Sequence, residues 1–207
     1  MTPETARTPR KKHLEIEIKL KIRNLTKIRK AVGEMGCEET AARGLERNWT
    51  WDFPGQVLRR RGELLRVRQF AGRCVLTFKG VAQQSQRFKI REERETEVQD
   101  LTTLEVILER LGLEVMSCYE KFRTSYSFTI PGRGRCVQLA VDETPIGNYL
   151  EIEGIEADIE KVAVKLGFGK EAFIKESYLT LFAKSRLRTT QHFMVFPTEM
   201  HAKSRRV

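Results

Sequence analysis

The sequence predicts an α+β chain, mainly β, in which eight antiparallel strands close into a barrel with helices packed outside. Three observations predict it. Apolar and polar residues alternate with period two in segment after segment, beginning with HLEIEIKLKI at 13–22. Nearly all connections between these segments are short, which suits antiparallel neighbours. About eight such strands share one run of chain, and a single twisted sheet of that size curls and closes.

Taken in order, the first strand occupies 13–22. Leu25 to Met35 has a helical pattern, with Asn24 as N-cap and Gly36 as the stop. A second strand spans 38–53 and ends in Trp49, Trp51 and Phe53, and Pro54-Gly55 breaks it. These aromatics read as packing in the barrel wall, or else as a platform for a ring at the barrel mouth. Val57 to Arg61 forms a short helical turn, and its Arg59-Arg60-Arg61 reads as a solvated turn or as a lure for anions. Strands at 63–70 and 73–79 are joined by Ala71-Gly72 as a tight turn. A loop at 81–87 precedes a strand at 88–98. Asp100 or Thr102 caps a helix that runs to Leu111 and stops at Gly112. Strands follow at 114–130, 135–142 and 149–156, with turns at Pro131-Gly132 and Pro145-Ile146-Gly147. Asp158 to Leu166 is a short helix closed by Gly167, and 171–183 is read as helical.

The 207 residues suit one domain, spanning 13–183, between a basic N-terminal arm at 1–12 and a basic C-terminal tail at 184–207. That is long enough to bury a core without disulfides or a structural metal. The formal net charge of +10 sits mostly in the two ends, and the body is close to balanced. The excess therefore reads as weak attraction to polyanions, and no dedicated nucleic-acid site is expected. No apolar run approaches the ~18 residues of a membrane span, and the first residues lack the apolar stretch of a secretory signal. Cys37, Cys74, Cys118 and Cys136 are scattered, as in a reduced, cytoplasmic protein. The three histidines do not cluster, so neither a His-based triad nor a His-rich metal site is indicated.

The polar faces of the strands carry the functional signal. They present Glu15, Glu17 and Lys19; Arg66 and Arg68; Lys79; Arg91, Glu93, Glu95 and Glu97; Lys121 and Arg123; Asp142; and Glu151 and Glu153. One such face alone reads as the wet side of a sheet. Here the charges are sorted by sign within each strand. Like charges at i and i+2 on one face lie ~7 Å apart and repel unless opposite charge stands between them. If the charged faces point into the barrel, the lumen holds interleaved cations and carboxylates, and it must be wet, paired or liganded. Arg and Lys in that number suit a linear triphosphate. Clustered carboxylates suit Mg2+ or Mn2+, hard ions that prefer oxygen.

These residues resemble the CYTH superfamily, the triphosphate tunnel metalloenzymes. EIEIK at 15–19 resembles its ExExK signature. RVR at 66–68, LTFKG at 76–80, REERETEV at 91–98, KFR at 121–123, Asp142 and EIEG at 151–154 follow in the family's order. The resemblance covers about 13–182. It implies an eight-stranded tunnel that binds a triphosphate and divalent metal, and a homodimer is plausible on this ground alone. It implies metal ligation by Glu15, Glu17 and Glu153, with Asp142 and Glu151 in support and Glu93 or Glu95 reaching the metal from the next strand. It implies a triphosphate cradle of Lys19, Arg66, Arg68, Lys79, Lys121 and Arg123, with Arg91 alongside. Lys175 and Tyr178 fall near a C-terminal helix that closes one tunnel end in relatives. Glu15, Glu17, Lys19, Arg66 and Glu153 would carry catalysis.

EIEIK, KGV at 79–81, REE at 91–93 and the Asp142…EIEG spacing look like the class IV adenylyl cyclase branch, which makes cyclic AMP and pyrophosphate from ATP. The tripolyphosphatase-like branch commonly shows EIERK. Characterised class IV cyclases often carry an aromatic before the signature, where this chain reads Lys12-His13-Leu14. Hydrolysis of inorganic tripolyphosphate or thiamine triphosphate is the alternative, and binding of polyphosphate or nucleotide without turnover is a third.

Overall fold

The structure, a computed structural model, describes residues 14–132, 134–185 and 193–196. The basic arm at 1–12 lies outside them, as does most of the basic tail. Eight strands form the wall: β1 (Leu14–Ile22), β2 (Glu38–Asp52), β3 (Leu64–Phe70), β4 (Arg73–Lys79), β5 (Lys89–Glu97), β6 (Glu114–Ile130), β7 (Arg135–Thr144) and β8 (Gly147–Glu153). Their order around the sheet is β2-β3-β4-β5-β1-β8-β7-β6, and antiparallel pairing of β2 with β6 closes the barrel. A ninth strand, β9 (Phe193–Met194), pairs with β6 in parallel.

Alternation decides which face is which. In β1, Ile18, Leu20 and Ile22 point outward into an apolar layer, while Glu15, Glu17 and Lys19 line the lumen. The helices supply the cover that layer needs. α1 (Leu25–Glu34) and α4 (Glu156–Lys165) pack over the outer faces of β1, β6, β7 and β8 through Ile28, Val32, Ile159 and Val162. α3 (Leu101–Arg110) packs with Leu104 and Leu108 on Trp51, Val67 and Cys74 of β2, β3 and β4. Trp49 and Phe53 join that second cluster, so the aromatics of β2 are wall packing. The short α2 (Val57–Arg60) is capped by Asp52, whose carboxylate accepts from the Leu58 and Arg59 N–H groups at 2.8 and 2.9 Å.

The caps follow the sequence. The Asn24 side chain accepts from Lys27 N–H at 2.9 Å and that of Asp100 from Thr103 N–H at 3.0 Å. At the β3–β4 turn both central residues have positive φ, 50° at Ala71 and 75° at Gly72, which suits the twist of a two-residue hairpin.

Two predicted elements differ. The segment 171–183 is not one helix. A 3-10 turn at Lys170–Ala172 gives way to extended chain, and α5 (Tyr178–Lys184) begins only at Tyr178. β5 pairs with β1 only as far as Glu17, which leaves the Lys19 backbone free. Ile174 takes it, exchanging N–H···O bonds of 2.9 Å with Lys19 in both directions. Residues 193–196, inside the predicted tail, also belong to the fold: Met194 is fully buried and Phe196 is 7% exposed.

Candidate functional site

The lumen is a cavity of about 290 Å3 lined by side chains of β1, β3, β4, β5, β6, β7, β8 and α5. Its walls carry Glu15, Glu17, Lys19, Arg66, Arg68, Lys79, Arg91, Glu93, Glu95, Lys121, Arg123, Glu151 and Glu153. These residues come from six strands, and period-two geometry aims each of them inward. Tyr119 and Tyr178 also line it.

One region is dominated by Lys121 and Arg123 of β6. Asp142, fully buried behind the lining, accepts from Lys121 Nζ at 2.9 Å and from Arg123 Nε and Nη2 at 2.7 and 2.6 Å. The Tyr178 hydroxyl donates to the same carboxylate at 2.7 Å. Glu151 contacts Arg123 closely and lies 3.1 Å from Lys19 and 3.7 Å from Lys121. Burial opposes its charge, but Lys121, Lys19 and Arg123 outweigh burial and hold it well below the usual carboxylate range. Glu46 of β2 completes the group at 3.4 Å from Lys121 Nζ and 3.5 Å from Arg123 Nη1, with no exposed surface. Its carboxyl is held down at about 2, burial notwithstanding, by Arg123, Lys121, Arg68 and Arg66. Asp142, Glu151 and Glu46 thus serve as internal counter-ions for the cations.

The other region is richer in carboxylates. Lys79 Nζ reaches Glu15 at 2.6 Å and Glu93 at 3.0 Å. Lys89 contacts Glu17, and Lys19 lies 3.0 Å from Glu17. Burial raises Glu17, yet Lys19 and Lys89 prevail and leave it far below the usual range. Glu93 goes the other way. Burial pushes it up to about 8 despite Lys79, aided by the hydrogen bond and charge of Glu15. Glu153 stands opposite Glu17 in the β1–β8 register. It has no ion pair among the described residues. Its side chain keeps exposed surface, but partial loss of bulk water and the charges of Glu15 and Glu17 push it up to about 7. Arg66 bridges the two regions, 3.6 Å from Glu93 and 3.7 Å from Glu95, with its Nη1 3.5 Å from the Tyr119 hydroxyl. Arg68 pairs with Glu95 at 3.2 Å.

Among the described residues, no three carboxylates already converge as an ion-binding cluster. The donor chemistry nonetheless fits a hard divalent cation. Glu15, Glu17 and Glu153 are oxygen donors on adjacent strands, and Glu153 stands opposite Glu17 with no ion pair of its own among the described residues, a charge that a cation would balance.

Three sequence-predicted positions lie elsewhere. Lys175 is exposed and donates to the Ser85 carbonyl at 2.7 Å, so it does not line the lumen. Glu97 is exposed at the end of β5, where it pairs with Arg73 at 3.0 Å and does not line the cavity. Asp142 sits among cations, away from the carboxylate group of Glu15, Glu17 and Glu153. Arg91 reaches the lumen edge, but its guanidinium is committed to the Gly80 and Gly62 carbonyls at 2.7 Å each. Sequence reasoning missed Glu46, Lys89 and Tyr119. Lys89 shares the parity of Arg91 and Glu93, and that was the signal available for it.

A CYTH domain profile matches residues 13–185. The chain belongs to the CYTH family. The ordered charges of the lumen are the polar faces of that domain's triphosphate tunnel fold. A Vibrio parahaemolyticus protein described as a candidate adenylate cyclase is 20% identical, superposes with a TM-score of 0.71, and the match covers 82% of this CYTH chain and 98% of that one. A Pyrococcus horikoshii protein is 27% identical, with a TM-score of 0.66 over 83% and 99% of the two chains. A Hippeastrum protein named as a candidate adenylyl cyclase, with a dominant triphosphatase activity, is 20% identical, with a TM-score of 0.60 over 84% and 97%. No curated protein sequence matches this CYTH chain. No helix among the described residues is long and apolar enough to cross a membrane.

Proposed function

We propose that this CYTH domain is a divalent-metal-dependent enzyme that holds a linear triphosphate in its lumen and converts ATP to cyclic AMP and pyrophosphate. The observation that carries the reading is the joint presence, around one cavity, of the basic set and the acidic set. A phosphate binder without turnover needs only the first. In this reading Lys19, Arg66, Arg68, Lys79, Lys121 and Arg123 take the phosphate oxygens, Arg as forks and Lys as point charges. Arg91 shapes the edge of the cavity by its backbone bonds. Glu15, Glu17 and Glu153 hold the metal. Glu93, Glu95, Glu151 and Asp142 keep the surrounding cations aligned.

When bound, Mg2+ or Mn2+ neutralises phosphate charge and lowers the pKa of the attacking hydroxyl or water. The chain's own contribution is positioning and charge. Asp142 and Glu46 fix Lys121 and Arg123 before substrate arrives, so little reorganisation is needed as charge shifts along the phosphate chain. Burial and the neighbouring Glu15 favour the neutral form of the Glu93 carboxyl in the empty lumen, which limits repulsion of the entering anion.

Hydrolysis of the terminal phosphate is the second reading, and one observation favours it. The aromatic side chains lining the lumen are Tyr119 and Tyr178, and the hydroxyls of both are engaged, with Arg66 and Asp142. Both rings are also buried against Tyr149 and Met194, so among the described residues the lumen offers no open ring on which a nucleobase would stack. Product analysis tests both readings. The purified protein with Mg2+ or Mn2+ is given ATP, inorganic tripolyphosphate or thiamine triphosphate. Cyclic AMP and pyrophosphate from ATP support the cyclase. Orthophosphate without cyclic AMP makes the protein a triphosphatase. Tight binding with no turnover of any substrate would overturn the enzyme reading.

A further inference from the structure

We propose that residues 193–196, which lie beyond the stretch matched by the CYTH domain, are a strap that positions the tyrosines of the lumen and through them the phosphate-facing cations. The inference rests on the triphosphate reading of the lumen and adds to it a residue set outside the family's domain.

The wall of the barrel is uneven at β6. β7 pairs with this 17-residue strand only from Phe122 to Ile130. The earlier half of β6 would be left unpaired on that side, and β9 fills the place, with Phe193 beside Cys118 and Met194 beside Tyr119. Beyond β9, the Phe196 N–H donates to Glu120 at 3.3 Å, and its ring lies 5.0 Å from that of Phe122. The segment is thus held by backbone pairing and by two apolar anchors.

Met194 ends in a small apolar cluster whose other buried members are Tyr119, Tyr149 and Tyr178. Two of these present their other side to the lumen. The Tyr119 hydroxyl meets Arg66. The Tyr178 ring lies 4.7 Å from Lys121 Nζ and 5.2 Å from Lys19 Nζ, and its hydroxyl shares Asp142 with Lys121 and Arg123. Removing the strap uncovers the back of both rings while leaving the two helix-covered clusters untouched. The rings would then be free to shift, and Arg66, Lys19 and Lys121 would lose a fixed support for phosphate.

The test uses three variants: a chain ending at residue 190, Met194→Asp in the full chain, and Met194→Leu as the conservative control. The Asp variant separates loss of the anchor from loss of the basic residues in the tail. If it fails to fold, the truncation still decides. Tripolyphosphate binding by calorimetry and kcat and KM on the substrate found active are measured, with folding checked by urea titration. The expected result is a folded barrel with weaker tripolyphosphate binding and KM raised about tenfold for the truncation and the Asp variant. kcat changes far less, as for loss of a binding contact, and Met194→Leu restores wild-type values. Wild-type binding and KM in the truncated chain would overturn the proposal. A readout free of substrate keeps it separable from the functional reading: NMR of chains carrying 13C-labelled tyrosine, with Tyr119 and Tyr178 assigned by Tyr→Phe variants. Their ring signals move on truncation if the strap holds them, even if the wild-type protein binds no triphosphate. If they stay in place, the strap is not a positioning element.

Discussion

Replacing Asp142 by Asn removes one negative charge from the most constrained part of the lumen while keeping its shape. The carboxylate has no exposed surface and accepts at 2.6–2.9 Å from Lys121, Arg123 and Tyr178. The side chains of Lys121 and Arg123 are themselves only 3% and 12% exposed. Breaking a buried ion pair by removing one partner costs about 3–5 kcal/mol, because the other charge is left uncompensated. Glu46 and Glu151 remain within reach of both cations. The Asn oxygen still accepts from Tyr178. The loss is therefore expected at the low end, about 3 kcal/mol, and a fall in Tm of roughly 6–12 °C for a chain of this size. Urea unfolding at low ionic strength, followed by the fluorescence of Trp49 and Trp51, measures it. Tripolyphosphate added to the variant should recover more stability than it adds to the wild-type protein, since its oxygens replace the lost counter-charge. A loss below about 1 kcal/mol, or equal stabilisation of both proteins by tripolyphosphate, would refute the view that the lumen's cations are held by internal counter-ions.

Other outcomes follow from the same geometry. The double variant Glu15→Gln, Glu17→Gln should lose metal-dependent turnover while its far-UV circular dichroism is unchanged; retained activity would remove both residues from the metal site. Arg66→Ala should cost ~2–3 kcal/mol in kcat/KM, the scale of a hydrogen bond to a charged group, and a fully active variant would contradict its place in the cradle. Glu93 and Glu153 are raised to about 8 and about 7 from the ordinary 4.5, so their neutral forms favour the fold. That contribution is complete below the unfolded value and is lost as pH rises through 7 and 8. Without metal, Tm of the wild-type protein should therefore fall between about pH 5 and pH 8.5 relative to a Glu93→Gln, Glu153→Gln variant, and parallel curves would refute the shifts.

The barrel was legible because β1 alternates without a flaw and because its charges are sorted by sign. The same parity rule located the cations of β3, β4 and β6. Glu46 escaped it for a physical reason. β2 carries register shifts between Glu39 and Ala41, between Ala41 and Gly44, and between Thr50 and Trp51, so parity cannot be carried along the strand. Its inward residues Glu46, Asn48 and Thr50 also look like an ordinary wet face, and its tryptophans drew attention outward. Lys175 rests on the resemblance alone, and its side chain turns to a carbonyl on the surface. The helix expected over 171–183 failed because a long-range backbone pairing, Ile174 with Lys19, outweighs local propensity there. The strap at 193–196 has too short an apolar run to show a period.

The helix-covered apolar layers on the outside of this barrel form two groups that share no buried residue. One joins α1 and α4 to β1, β6, β7 and β8, and the other joins α3 to β2, β3 and β4. What ties one oily patch to the other is the strand ladder and the ionic lattice across the lumen. Lys79 to Glu15 and Arg123 to Glu46 are such ties, running from one arc of the wall to another. Cooperativity in this protein thus rests in part on buried ion pairs, which dissolved salt screens far less than exposed ones. The two halves should exchange their amide hydrogens at increasingly independent rates once such a tie is removed, as in Glu46→Gln, and a polyphosphate in the lumen should synchronise them again.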